Sequence, residues 1–142
     1  MSLGEQVVRD LKEKLGEAYQ GEYWKQKNRL YVKLDKSSIV EATKLLMGKH
    51  DARLCAISTV DLGERGFDLV YHFALDHKER NLHVNLKPRV PRDFPEIESI
   101  TPYTPQANWT EREMMELVGI TFKNHPDPRH MFLSYDWPEQ PK

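Results

Sequence analysis

Residues 67–75 read Phe-Asp-Leu-Val-Tyr-His-Phe-Ala-Leu and place a large apolar side chain at every second position. Residues 80–87, Arg-Asn-Leu-His-Val-Asn-Leu-Lys, repeat the pattern at Leu82, Val84 and Leu86. A period of two is typical of β-strands with one buried face. The sequence therefore predicts two neighbouring antiparallel strands joined by a four-residue loop, and these strands decide the fold.

The loop length sets the expected register of the two strands. It places Phe73 opposite Leu82 and Tyr71 opposite Val84, so that apolar side chains meet on one face.

The same register places His72 opposite His83 on the other face. Such a pair could bind a metal or sense pH. However, the acids Asp68 and Asp76 lie four residues along the strand, about 13 Å away. We interpret the histidines as polar residues on the wetter side of a sheet.

Further elements follow from the spacing of apolar residues and from turn residues. Helices are expected over residues 2–17, 38–47 and 110–118, and strands over 22–27, 29–34 and 53–60. Ser38 with Glu41, and Thr110 with Glu113, have the spacing of capping boxes, and Gly48 and Gly119 would end their helices. The predicted fold class is α+β, a two-layer sandwich whose mainly antiparallel sheet carries helices on one face.

The prolines divide the chain into two parts. All nine lie after residue 87, and proline disfavours helix interiors and central strands. We therefore expect a regular core over residues 1–100 and a proline-rich C-terminal arm with one helix over residues 101–142, within a single domain.

Composition excludes several classes of function. The 142 residues carry a formal net charge of −1, which argues against a nucleic-acid partner, and no apolar run approaches the roughly 18 residues of a membrane span. The single cysteine, Cys55, lies in an apolar stretch and fits a reducing compartment. The glycines form no phosphate-binding motif, and the chain has no cysteine cluster for an iron–sulfur centre or zinc.

One loop suggests an enzymatic alternative. His125, Asp127 and His130, with Asp136 further on, could form a hydrolytic metal site. The prolines in this loop argue against a helix that would bring the ligands together. The other interpretation is a rigid loop held by hydrogen bonds from histidine and arginine.

The most unusual segment begins at Trp109. Glu111, Arg112 and Glu113 crowd the expected first turn of the last helix, where acids favour the positive end of the helix dipole. If Glu113 closes a capping box, Glu111 remains available for other contacts. The segment is either a solvated helix start or a charged hook for a partner subunit with Trp109 as its aromatic anchor.

This segment resembles the 30-kilodalton subunit of respiratory complex I and its counterparts in related membrane-bound energy-converting hydrogenases. The family pattern runs from Ala-Asn-Trp and Glu-Arg-Glu through Gly-Ile and His-Pro-Asp to Asp-Trp. The matching positions are Ala107, Asn108, Trp109, Glu111, Arg112, Glu113, Leu117, Gly119, Ile120, Phe122, His125, Pro126, Asp127, Arg129, Leu133, Asp136, Trp137 and Pro141. The chain departs from the family pattern at Glu116, Val118, Asn124, Pro128 and His130. With these departures it resembles the energy-converting hydrogenase branch more than a mitochondrial-type subunit, and a dehydrogenase with another electron donor stays open.

The resemblance implies a non-catalytic structural subunit in the hydrophilic arm of an oxidoreductase complex. Its partners would be the large subunit and the small iron–sulfur subunit. It would carry no cofactor, would be inactive alone, and would be cytoplasmic and peripheral to the membrane. The residues expected to bind partners are Trp109, Glu111, Arg112, Glu113, His125, Pro126, Arg129, Asp136 and Trp137.

Overall fold

The computed structural model describes residues 2–75 and 82–126. The helices are α1 (Leu3–Leu15), α2 (Ile39–Lys49) and α3 (Ala107–Leu117). The strands are β1 (Tyr19–Gln26), β2 (Arg29–Leu34), β3 (Arg53–Asp61), β4 (Phe67–Ala74), β5 (His83–Val90), β6 (Glu96–Glu98) and β7 (Thr121–Lys123). Within these ranges no helix is long and apolar enough to cross a bilayer.

Five strands form one sheet in the order β1-β2-β5-β4-β3. Three of the neighbouring pairs are antiparallel, and β2 with β5 is parallel. The parallel pair requires a long crossover, which α2, β3 and β4 supply. Strands β6 and β7 form a separate two-stranded parallel sheet. The predicted α+β class with a mainly antiparallel sheet is confirmed.

The core lies on one face of the sheet. Strand β2 contributes Leu30, Val32 and Leu34 to it, β4 contributes Tyr71 and Phe73, and β5 contributes Val84 and Leu86, and all seven are at most 1% exposed. Each such side chain gains about 1.5–3 kcal/mol on leaving water. Helices α1 and α2 cover this face with Val7, Leu11, Ile39 and Leu46. The opposite face, which bears Tyr31, His72 and Asn85, is called the open face below.

The register of β4 and β5 differs from the prediction by two residues. Phe73 pairs with Val84 and Tyr71 with Leu86, so the expected partners of both residues were wrong. A shift of two residues keeps every side chain on its predicted face, because side chains alternate with a period of two. The apolar pattern was therefore sufficient to predict which face of the sheet each side chain lies on, but not which residues of β4 and β5 pair.

The predicted cross-strand histidine pair is consequently absent. His72 lies opposite Asn85, and its Nδ1 is 2.7 Å from Asn85 Oδ1. Its Nε2 is 3.0 Å from Ser58 Oγ, so both ring nitrogens take part in hydrogen bonds. The Asn85 amide in turn donates to the Leu30 carbonyl at 3.2 Å. This is a polar network on the open face, in line with the interpretation of His72 as a polar sheet residue.

Both predicted capping boxes were wrong. Ser38 Oγ donates to the Asp35 carbonyl rather than capping α2. Thr110 lies inside α3, which begins three residues earlier at Ala107. Gly48 does not end α2, which continues to Lys49. A real capping box instead opens α1, where Ser2 and Glu5 bond each other's backbone amides.

A buried carboxylate joins the two N-terminal helices. Asp10 on α1 is 6% exposed, and its Oδ2 accepts from His50 Nε2 at 2.8 Å and lies 3.1 Å from Lys49 Nζ. Burial alone would raise the pKa of Asp10, but hydrogen bonds and charge from Lys49 and His50 outweigh it and hold that pKa below its ordinary value. The end of α2 is thereby fixed to α1.

We expect Asp10→Asn to remove stability that depends on pH. Because the pKa of Asp10 is lower in the folded state than the unfolded-state value of 3.8, its ionised carboxylate stabilises the fold at pH values above 3.8. This stabilisation is lost as the pH falls through the folded-state pKa. The variant should therefore be less stable than the wild type at pH 7, and the gap should narrow below about pH 4. Urea unfolding at several pH values measures it, and a gap that does not change with pH contradicts the prediction.

Gly66 allows a close approach of two backbones at the start of β4. Its φ is +100°, and a Cβ there would overlap the Val90 carbonyl oxygen. Gly66→Ala should cost about 3 kcal/mol of unfolding free energy, because it combines backbone strain with a clash. Gly48→Ala is the matched control: this glycine is inside α2 with open space around it, so the change should stabilise by about 1 kcal/mol. Equal effects of the two changes would contradict this account.

Candidate partner-docking site

Glu111 lies at the centre of a buried hydrogen-bond network. Its side chain has no exposed surface. Oε1 accepts from the hydroxyls of Ser99 at 2.5 Å and Thr101 at 2.6 Å, and Oε2 accepts from the Ile100 backbone N–H at 2.9 Å. The carboxylate therefore holds the segment that follows β6. We call this arrangement the Glu111 clamp.

The start of α3 at Ala107 explains why Glu111 points inward. Ala107, Glu111 and Met114 recur at helical spacing and are all buried. Met114 Sδ contacts Thr59 Oγ1 on β3, which places α3 against the sheet. The expectation that Glu111 is available to a partner depended on the later helix start, and the structure corrects it. Glu111 is used within the chain.

Burial shapes the protonation of this site. Desolvation raises the pKa of Glu111, and hydrogen bonds from Ser99, Thr101 and Ile100 offset only part of that rise. Tyr71 is fully buried on the core face, and burial together with the nearby charge of Glu111 raises its pKa well above 10.

The residues after β7 lead back to the clamp. Asn124 has φ +62°, and its amide donates to Glu98 at 2.6 Å, which turns the chain. His125 is 9% exposed, and its Nε2 lies 3.7 Å from Glu111 Oε1. His125 therefore faces the interior, whereas Pro126 is exposed.

Several predicted residues lie outside the described ranges. They are the expected partner-binding residues Arg129, Asp136 and Trp137 and the candidate metal ligands Asp127 and His130. Within residues 2–75 and 82–126, no group of three or more His, Cys, Asp or Glu side chains is arranged to hold a metal ion.

The outer face of α3 carries exposed apolar side chains. Trp109 is 56% exposed and Leu117 is 68% exposed, eight residues apart on one side of the helix. Arg112 and Glu113, half-buried, lie on the turns between them. The arrangement combines an aromatic, an aliphatic and charged groups on one rigid helix, which is the chemistry of a protein interface.

Sequence reasoning missed the residues that hold Glu111. Ser99 and Thr101 are short hydroxyl side chains in a segment without periodicity. Hydroxyl residues of this kind are mostly solvated, and nothing in their spacing indicates a buried acceptor ten or twelve residues later. Only the packing of α3 shows the network.

Replacing Glu111 tests the clamp. Glu111→Ala should cost about 3 kcal/mol of unfolding free energy, because the Ile100 N–H and two hydroxyls lose their buried acceptor. Glu111→Gln should keep these partners, with its carbonyl toward Ile100 and its amide toward the hydroxyls. Because the pKa of Glu111 is raised in the folded state, the wild type loses stability as the pH rises above the unfolded-state value of 4.5. The Gln variant does not titrate at this position, so its stability relative to the wild type should increase over the same pH range. An Ala variant as stable as the Gln variant in urea unfolding would refute the clamp.

Comparison with known proteins identifies the family. The sequence profile described as "Respiratory-chain NADH dehydrogenase, 30 Kd subunit" matches residues 32–142. The chain is 41% identical over 117 residues to a subunit of the F(420)H(2) dehydrogenase of Methanosarcina mazei, covering 78% of this chain and 72% of that one. It is 33% identical over 115 residues to a subunit of the NADH-quinone oxidoreductase of Geobacter metallireducens, covering 78% and 69%. It spans only 18% of a longer NADH-quinone oxidoreductase chain of Phocaeicola vulgatus.

Two solved structures share the fold. One comes from the membrane-bound sulfane sulfur reductase, an archaeal respiratory membrane complex, with a TM-score of 0.77, 23% identity, and 97% of this chain and 80% of that chain covered. The other is the trypsin-resistant fragment of Nqo5, with a TM-score of 0.71, 24% identity, and 86% and 98% covered. With the profile match, these findings lead to one conclusion: the chain belongs to the respiratory-chain NADH dehydrogenase 30 kDa subunit family.

Proposed function

We propose that this chain is a non-catalytic structural subunit in the hydrophilic arm of a complex I-like oxidoreductase. The complex would be an NADH:quinone oxidoreductase or an energy-converting hydrogenase, and the chain would be cytoplasmic and peripheral to the membrane. Its family consists of subunits of such complexes, which supports the assignment. The relative from Methanosarcina mazei belongs to an F(420)H(2) dehydrogenase. F(420)H(2) is therefore a second candidate for the electron donor of the proposed complex, beside NADH.

The proposed docking site is the outer face of α3. An exposed tryptophan is a frequent anchor at interfaces, because a large ring buries much area with little loss of rotamer entropy. Trp109 and Leu117 present such area, and Arg112 and Glu113 offer charges at its edge. We assign this face to the interface with the large subunit and the small iron–sulfur subunit.

The Glu111 clamp holds the outer face of α3 in position before a partner binds. The clamp fixes α3 to the segment after β6, and Met114 fixes it to β3. A helix that is already fixed loses little conformational entropy when a partner binds to it. In the proposal, the role of Glu111 is therefore to position the docking residues.

Arg129, Asp136 and Trp137 belong to the same proposal through the family resemblance alone. Trp137 would add buried area, and Arg129 would pair with a carboxylate of the partner or with Asp136.

Copurification from native membranes tests the proposed function. Tagged wild-type chain should bring down a large subunit and an iron–sulfur subunit of an oxidoreductase. Trp109→Ala combined with Leu117→Ser should reduce their recovery at least about tenfold, since anchor residues contribute most of the energy of an interface.

The control is Val60→Ala, an exposed apolar residue of β3 on the open face, 46% exposed. This variant should copurify like the wild type, and thermal unfolding should show that all variants remain folded. Recovery of the wild-type chain without oxidoreductase subunits would overturn the proposal, as would turnover of an electron donor by the isolated chain.

A further inference from the structure

A cleft of about 510 Å³ lies where the open face meets the segments that flank β2 and β4. Five basic side chains line it: Lys33, Lys36, Arg65, Lys87 and Arg89. They come from β2, β5 and two connecting segments that are distant in the sequence. We call this site the basic cleft. Neither the α3 face nor the Glu111 clamp includes any of these residues.

The parallel pairing of β2 and β5 brings two of the lysines together. Lys33 and Lys87 are direct neighbours in the register, and both side chains point to the open face. Neighbouring strands lie about 4.8 Å apart, and like charges directly opposite each other destabilise a sheet. An anionic group between the two ammonium groups would remove this repulsion.

The carboxylates of the cleft are already engaged. Asp68 accepts from Arg89 Nε at 2.9 Å, and Asp35 accepts from the Ser37 backbone N–H at 3.0 Å. Five cations against two carboxylates leave an excess of three positive charges at the cleft. The whole chain has a net charge of −1, so the basic cleft has the opposite sign to the molecule.

Two tyrosines extend the cleft along the open face. Lys87 Nζ donates to the hydroxyl of Tyr23 at 3.3 Å. The rings of Tyr23 and Tyr31 are stacked, with centroids 5.1 Å apart and planes within 6°. Tyr23 is 41% exposed. Tyrosine is enriched at protein interfaces, because the ring buries apolar area and its hydroxyl still finds a partner.

We propose that the basic cleft and the adjoining Tyr23–Tyr31 pair dock an acidic segment of a partner protein, with carboxylates placed between Lys33 and Lys87. The partner would be another subunit of the complex, so this identification rests on the proposed function. Arg65 lies beside the lysine pair and would interact with a further carboxylate of the segment, whereas Lys36 Nζ already donates to the Glu96 carbonyl at 2.8 Å and Arg89 Nε to Asp68.

The geometry favours a peptide over other anions. The cations are spread over four segments around a cleft much larger than one phosphate group. A nucleic-acid surface would present rings open to bases, whereas Tyr23 and Tyr31 already stack on each other. The sequence pI of about 6.6 also argues against a polyphosphate backbone.

A peptide titration on the purified full chain tests the chemistry. A fluorescein-labelled deca-glutamate peptide, followed by anisotropy, should bind the wild type and weaken with salt. Lys33→Glu combined with Lys87→Glu should weaken binding at least about tenfold. The control, Lys14→Glu combined with Lys44→Glu on the helical side, makes the same change in net charge and should alter binding by less than about twofold.

Three results of the titration would overturn the inference. They are the absence of peptide binding by the wild type, equal loss in the two double variants, and tighter binding of a labelled oligothymidylate than of the peptide. Displacement of the peptide by inorganic phosphate better than by chloride at equal ionic strength would do the same, since it indicates a small-anion site.

Zero-length cross-linking identifies the partner. A carbodiimide joins a lysine amine directly to a carboxylate, so in detergent-solubilised native complex Lys33, Lys36 or Lys87 should link to Asp or Glu of another subunit. Links from these lysines only to this chain's own carboxylates, or no links at all, would overturn the inference even if the chain copurifies with oxidoreductase subunits. If the chain copurifies with none, the proposed function fails, and the peptide titration still decides whether the cleft binds acidic segments.

Discussion

The apolar face of β4 and β5 is the constraint on which the rest of the structure depends. Tyr71, Phe73, Val84 and Leu86 form its centre and are fully buried. Helix α1 lies against β1, α2 packs against α1, α3 lies against β3, and helices α1 and α2 contribute apolar side chains to the same core. All three helices pack on this face, and the open face carries most of the polar and charged side chains of the sheet, together with apolar residues such as Val60, Val70 and Ala74. The chain thus has two surfaces of different chemistry.

Two buried carboxylates fix the helices on this face, and they respond to pH in opposite ways. Asp10 is compensated by Lys49 and His50, so its ionised form is the stable one. Glu111 accepts hydrogen bonds from two hydroxyls and a backbone N–H, which do not fully offset desolvation, so its pKa lies above the ordinary value. The difference lies in the groups at hydrogen-bond distance, which are a lysine and a histidine for Asp10 and two hydroxyls and a backbone N–H for Glu111, with His125 Nε2 farther away at 3.7 Å. A buried acid serves as an anchor in both cases.

The sequence was sufficient to predict the alternation of β4 and β5 and the presence of helix α1, because both depend on local pattern. It was also sufficient to predict the family, because the family depends on a long motif that includes residues 107–126. It was not sufficient for the pairing of Phe73 with Val84, since a period of two determines the face and not the register. It also misplaced the start of α3, because Thr110 and Glu113 have capping spacing inside a helix. The burial of Glu111 depends on contacts with Ser99 and Thr101, which no local pattern reveals.

The three hydrogen bonds of Glu111 explain how a helix can keep a tryptophan exposed. An apolar contact alone is non-directional, and rotation of α3 by one residue, about 100°, would turn Trp109 toward the core. Such a rotation would withdraw the carboxylate from Ile100 and leave a buried N–H unsatisfied. Directional bonds on the inner side of α3 therefore determine which side chains its outer face presents. The clamp makes exposure of Trp109 a fixed property of the fold.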